Sequence, residues 1–175
     1  MPESLQERPF RQGGDPIFIQ IPDMTKDLLR ATSEQLLSVI TDAKERFSGI
    51  SEEDWSRRPA PGKWSKKEIL GHLIDSATNN HQRFVRAQLA DDTFIGPSYE
   101  QDLCVLVQNY QRVSTKDLID LWFAYNTLLA HVIAHADPLK LSVTCLIGNY
   151  DPVPFSFVIT DYVDHMIHHL KQITP

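Results

Sequence analysis

Three of the chain's seven histidines fall within five residues near its C-terminal end, in Asp164-His165-Met166-Ile167-His168-His169-Leu170. His165 and His169 are four residues apart, which on an α-helix places both side chains on one face about one turn apart. Two imidazoles held that way can bind one divalent metal ion and leave positions for a distant ligand and for water or substrate. His131 and His135 repeat the same spacing, and His72 and His81 complete the set.

Hydrophobic periodicity supplies the elements that must carry these residues. An apolar stripe of Leu28, Leu29, Leu36, Leu37, Val39 and Ile40 predicts a first helix from about Thr25 to Phe47, closed by Gly49. A loop with Trp55, Pro59, Pro61 and Gly62 leads to Ser65-Lys66-Lys67-Glu68. That is a capping-box pattern, predicting a second helix from Lys66 to about Leu89 through Ile69, Leu70, Leu73, Ile74, Ala77, Phe84 and Val85. Residues 92–113 read as a long crossover with one apolar turn at Leu103 to Val107. Ser114 caps a third helix, with Leu118, Leu121, Trp122, Tyr125, Leu128, Leu129, Val132 and Ile133 as its stripe, ending near Asp137-Pro138. After a Pro- and Gly-punctuated segment with a short strand or turn at Leu141 to Ile147, a fourth helix runs from about Phe155 to Ile173. Residues 1–22, punctuated by Pro2, Pro9, Pro16 and Pro22, read as an extended arm that packs on its own bundle or serves an interface. The expected fold is all-α: a four-helix bundle in one domain spanning residues 1–175.

Steps of about 100° per residue then sort the histidines by face. On the fourth helix His169 falls within the inward stripe of Val158, Tyr162, Met166, Leu170 and Ile173, His165 lies at its margin, and His168 points elsewhere. His131 lies outside the third helix's stripe and His135 sits near the helix end, where a solvated or capping role is favoured over metal binding. His81 falls on the apolar side of the second helix. His72 shares a polar face with Ser76, Asn79, Asn80 and Arg83, and periodicity leaves open whether that face meets solvent or lines a wet pocket inside the bundle.

Composition narrows the class. A net charge of −6 without a basic stripe argues against nucleic acid as a partner. No apolar run approaches the roughly 20 residues of a membrane span, and the N-terminus lacks the basic and apolar regions of a secretion signal, so a cytoplasmic protein is expected. Cys104 and Cys145 stand apart, with no Cys-x-x-Cys spacing, and read as reduced packing residues.

Two segments carry a family resemblance. Gly62-Lys63-Trp64-Ser65-Lys66-Lys67-Glu68-Ile69-Leu70-Gly71-His72-Leu73-Ile74-Asp75 resembles the second-helix signature of the DinB-like superfamily, and Asp161-Tyr162-Val163-Asp164-His165-Met166-Ile167-His168-His169-Leu170-Lys171-Gln172-Ile173 resembles its C-terminal signature. The YfiT-like branch, classed as metal-dependent hydrolases, is the most similar, and the likeness extends over nearly the whole chain. This resemblance implies His72, His165 and His169 as the ligands of one divalent metal per chain, zinc or nickel. It further implies an up-down-down-up bundle and a homodimer. Asn79, Asn80, Arg83 and Tyr162 are pocket candidates from helical position alone.

Three neutral imidazoles leave a +2 ion its full charge, able to activate water for hydrolysis or a low-molecular-weight thiol for transfer to an electrophile. Relatives in the superfamily include bacillithiol-dependent S-transferases and a mycothiol-dependent isomerase. No glutamate sits inside the His165–His169 pair, and Asp75, Asp161 and Asp164 are the available bases, each also suited to orienting an imidazole. The missing base tilts the expectation toward thiol activation on a small-molecule substrate. The competing view is a non-catalytic, metal-stabilised stress-response or interaction module, which would call for a fourth protein ligand such as Cys104 or Cys145.

Overall fold

The computed structural model describes residues 23–174, and the expected N-terminal arm lies outside them. Its four long helices are α1 (Asp23–Phe47), α3 (Lys66–Leu89), α5 (Thr115–Ala134) and α6 (Phe155–Ile173). Between them come the short helices α2 (Glu52–Ser56) and α4 (Gln101–Gln108), and the strands β1 (Thr93–Gly96), β2 (Thr144–Ile147) and β3 (Val153–Pro154). None of these helices is long and apolar enough to cross a membrane.

Side-chain contacts fix the helix directions. Ser33 Oγ donates to the Ala130 carbonyl and Lys44 meets Asp120, so α1 and α5 run antiparallel. Lys66 reaches the Ile173 carbonyl at one end of α3 while Phe84 packs on Phe155 at the other, so α3 and α6 are also antiparallel. Lys67 Nζ bonds the Val113 carbonyl and His81 bonds Tyr125, making α3 and α5 parallel. Arg46 near the end of α1 reaches Thr174 just past α6, making those two parallel. The order is up-down-down-up, with residues 90–114 as the crossover that two parallel neighbours require.

The second helix starts where its sequence says it must. Ser65 Oγ accepts the Glu68 N–H at 3.2 Å and Glu68 Oε2 accepts the Ser65 N–H at 2.8 Å, a complete capping box. Arg58 closes on the Glu68 carboxylate. Burial alone would push that carboxyl up, but Arg58 and the Ser65 N–H hold it down at about 2. The next turns are enclosed on every side, with each residue from Lys67 to Ala77 buried. Lys67 ends on Glu52 of α2 and on the Val113 carbonyl, so even its ammonium is paired.

Several expected contacts fall differently. Trp55 lies not in a loop but in α2, where its ring meets Phe47 edge-on at 5.1 Å. The crossover is structured: β1 pairs parallel with β2, β2 pairs antiparallel with β3, and α4 carries the apolar turn with only Val105 buried. Leu37, Val85, Leu121 and Leu128, counted in the apolar stripes, are exposed. On α5 the buried face runs through Leu118, Trp122, Asn126, Leu129, Ala130 and Ile133, turned away from Leu121 and Leu128. Asn126 can occupy that core because its amide donates to the Trp122 carbonyl and its oxygen accepts the Tyr162 hydroxyl.

One close approach locks the crossover to α3. A Cβ on Gly71 would lie 2.1 Å from Cδ2 of the Tyr110 ring, so only glycine admits the ring there, and the Tyr110 hydroxyl donates to Asp75 Oδ1 at 2.7 Å. Gly71→Ala should lower unfolding stability by about 1–3 kcal/mol through overpacking, read from the urea midpoint. Gly49→Ala, whose Cβ would meet only the Arg46 carbonyl at 3.7 Å, is the control. An effect no larger than that of the control would contradict this packing role.

Candidate metal centre

The antiparallel register of α3 and α6 brings His72 opposite His165 and His169. One ligand atom from each of the three lies within 4.8 Å of the others, and among the described residues no cysteine or carboxylate joins the group. His72 Nε2 and His165 Nε2 are 3.3 Å apart. Zinc-to-nitrogen bonds of about 2.0–2.1 Å at tetrahedral angles give an edge of about 3.3–3.4 Å, so this pair already has the separation of two ligands on one ion. The rings stand edge to face, with centroids 5.2 Å apart for His72–His165, 4.7 Å for His72–His169 and 4.6 Å for His165–His169.

Protonation suits the same role. Burial holds the His72 imidazole down at about 3, aided by the other two rings, and brings His169 down to about 4. His165 is lowered as well, first by burial and then by His168. All three are neutral at pH 7, the form that ligates a metal. His169 Nδ1 and His72 Nδ1 are buried without hydrogen-bond partners. Such orphaned nitrogens are costly in a dry site. The donor set therefore fits a divalent ion. Trp64 covers the outer side of His72, ring centroids 5.0 Å apart.

The remaining histidines are elsewhere. His168 is exposed and bonds Gln172, and His131 and His135 stack on each other at the surface with His135 Nδ1 on the His131 carbonyl. His81 is half-buried against Tyr125 at 2.9 Å. Cys145 is buried on β2, where burial pushes its thiol up, and Cys104 is half-buried. Of the three carboxylates considered as bases, Asp164 is exposed, Asp161 lies at the rim of a cavity, and Asp75 is buried and committed to Tyr110 and Gln108. Burial raises Asp75 despite those two bonds, and its Oδ2 has no partner.

A cavity of about 300 Å³ opens beside His165. Ser76, Asn80 and Arg83 of α3 and Tyr162 of α6 form its helical walls, and Tyr99, Tyr150 and their neighbours at the ends of the small sheet form its cover. Three of the four pocket candidates read from helical position are here. Asn79 is not, its amide being turned back to the Asp75 carbonyl. The Tyr162 hydroxyl is spent on Asn126, so this residue offers the cavity only its ring. Tyr99, Tyr150 and the sheet residues had no signal in helical periodicity, since they sit on the crossover and on the β2–β3 turn. A larger open groove of about 730 Å³ lies past Trp64, but no histidine lines it. The smaller cavity is the one placed to bring a molecule to the cluster.

The neutral imidazoles make the metal-free protein acid-sensitive. Each folded value lies below the unfolded 6.5, so in between the unfolded chain binds more protons, and stability present above pH 6.5 is lost on acidification toward the folded values of about 3 and 4. Between pH 7 and 5 His72 alone should cost about 1–2 kcal/mol. Thermal or urea unfolding of metal-free wild type beside His72→Asn should show a smaller loss in the variant; parallel pH profiles would contradict the buried neutral state.

Comparison with known proteins places this architecture. No curated protein matches the chain. A solved structure, YfiT from Bacillus subtilis, described as a "probable metal-dependent hydrolase with an unusual four-helix bundle topology", is similar in fold, with a TM-score of 0.66, 16% identity, and coverage of 97% of this chain and 91% of that one. The family model of the DinB superfamily matches residues 35–173, a span that includes all three clustered histidines and both cavity-lining helices, and the chain belongs to that superfamily.

Proposed function

We propose that the protein is a divalent-metal-dependent enzyme acting on a small molecule, with His72, His165 and His169 as its metal ligands. The observation that carries this reading is the convergence of three neutral imidazoles, one of which, that of His165, lines a cavity of small-molecule size, with no fourth protein ligand among the described residues. A closed structural site would instead recruit a fourth side chain, and Cys104 and Cys145 both stand outside the cluster. Zinc and nickel both suit an all-imidazole set. When bound, the ion supplies Lewis acidity, lowering the pKa of a coordinated water or thiol.

The chain's own groups do the rest. Trp64 shields His72 from bulk water, and Ser76, Asn80 and Tyr99 offer hydrogen bonds to a substrate in the cavity. Asp75 is held by Tyr110 and Gln108 and is unsuited to shuttling protons. The absence of any carboxylate from the ligand cluster favours thiol activation over hydrolysis, since a thiol needs no separate base once its pKa is lowered. Water remains the alternative nucleophile, and the name of the similar YfiT protein supports it.

Metal analysis of protein purified without a nickel column tests the assignment. His72→Ala, His165→Ala and His169→Ala should each lose most of the metal, while His168→Ala and His131→Ala retain it. Equal content in all five would refute the ligand set. On the metal-loaded wild type, thiol conjugation to a model electrophile should vanish on chelation and return with zinc or nickel. Ester hydrolysis with that same dependence, and no conjugation, would shift the reaction to water.

A further inference from the structure

Among the residues lining the cavity beside His165, Arg83 is the one with a permanent positive charge. Its guanidinium is half-buried, and its hydrogen bonds are two long ones, to Asn80 Oδ1 and to the Pro97 carbonyl, each 3.3 Å. A guanidinium has five N–H donors, so most of this fork is unspent. Among the described residues no carboxylate lies within 4.0 Å of it, whereas Arg30, Arg57 and Arg58 are each paired. Arg46, Arg86 and Arg112 also lack an ion pair, but they are exposed, where water solvates the charge. Burial disfavours the Arg83 cation, and an anion in the cavity would relieve that cost.

We propose that Arg83 binds a carboxylate of the substrate, so that the molecule lies along α3 with its carboxylate at Arg83 and its uncharged reactive group at His165. This rests on the reading of that cavity as the substrate site. Arg83 follows His72 by eleven residues, about 16 Å along the helix axis. Long helical side chains lean back toward the N-terminus, which directs the guanidinium toward the histidines. The planar fork matches a carboxylate edge-on through two parallel bonds. Asn80 holds one edge of the fork. Asp161, exposed at the rim of the same cavity, attracts the guanidinium at longer range without pairing with it, so the N–H donors of the fork stay available to a bound carboxylate.

The test uses metal-free protein and two isosteric probes, butyrate and butyramide, titrated by nuclear magnetic resonance at low ionic strength. Saturable butyrate binding at least about tenfold tighter than butyramide, with shifts at Tyr99 and Asn80, is the expected result. Arg83→Gln should bring the ratio to about one and Arg83→Lys should restore part of it, while Arg57→Gln, in the other groove, leaves it unchanged. No saturable butyrate binding, or an unchanged ratio in Arg83→Gln, would overturn the assignment. A stronger response to methylphosphonate than to butyrate would overturn the choice of carboxylate. Because no metal is present, these outcomes are independent of the histidine variants, and metal lost from those variants with no butyrate preference would reject Arg83 alone.

Discussion

The antiparallel contact of α3 with α6 sets the geometry of the histidine cluster. Lys66 on the Ile173 carbonyl and Phe84 on Phe155 pin the two ends of this helix pair, and between them the register leaves His72 no place except opposite His165 and His169. A slip of one residue would turn each ligand by about 100° and disperse the rings. The capping box at Ser65 and Glu68, buttressed by Arg58, matters for the same reason: it fixes where α3 begins.

Enclosure follows from that register. With α5, α6 and the crossover all pressed on its N-terminal half, α3 buries polar side chains as well as apolar ones, and each must find an internal partner or remain costly. Lys67 finds Glu52, Glu68 finds Arg58, and Asp75 finds Tyr110, whose ring passes over the bare Gly71. The His72 and His169 Nδ1 atoms find none. These two nitrogens leave part of the polar demand of the buried cluster unmet by the protein itself.

The four long helices were legible because caps and 3.6-residue periodicity are local signals: Ser65, Ser114 and the apolar stripe from Val158 to Ile173 mark them directly. Periodicity also favoured His165 and His169 over His131 and His135. It stalled at His72, because a polar helical face reads as solvent unless the chain that covers it is known, and the cover here is nonlocal: α6 from 93 residues downstream, with Tyr110 on the crossover. Family resemblance, and no local rule, singled out His72. The segment Leu141 to Ile147, expected as a short strand or turn, contains β2, and the apolar turn at Leu103 to Val107 lies in α4; β1, β3 and the cavity cover at Tyr99 and Tyr150 carry no local signal, because the strands are held by pairing between distant residues, Thr93 with Thr144 and Thr144 with Pro154. On α5 the inward face departs from the apolar stripe at Asn126, which satisfies its amide inside the core through Trp122 and Tyr162.

Everything in this reading turns on an open site of three imidazoles from two helices. X-ray absorption spectroscopy of the zinc-reconstituted protein tests it most directly. The expected spectrum shows imidazole scattering from three histidines, nitrogen at about 2.0–2.1 Å, with a further light-atom ligand displaced when a thiol is added and replaced by sulfur at about 2.3 Å. A sulfur shell already present without added thiol, or a fourth protein ligand that no small molecule displaces, would contradict it.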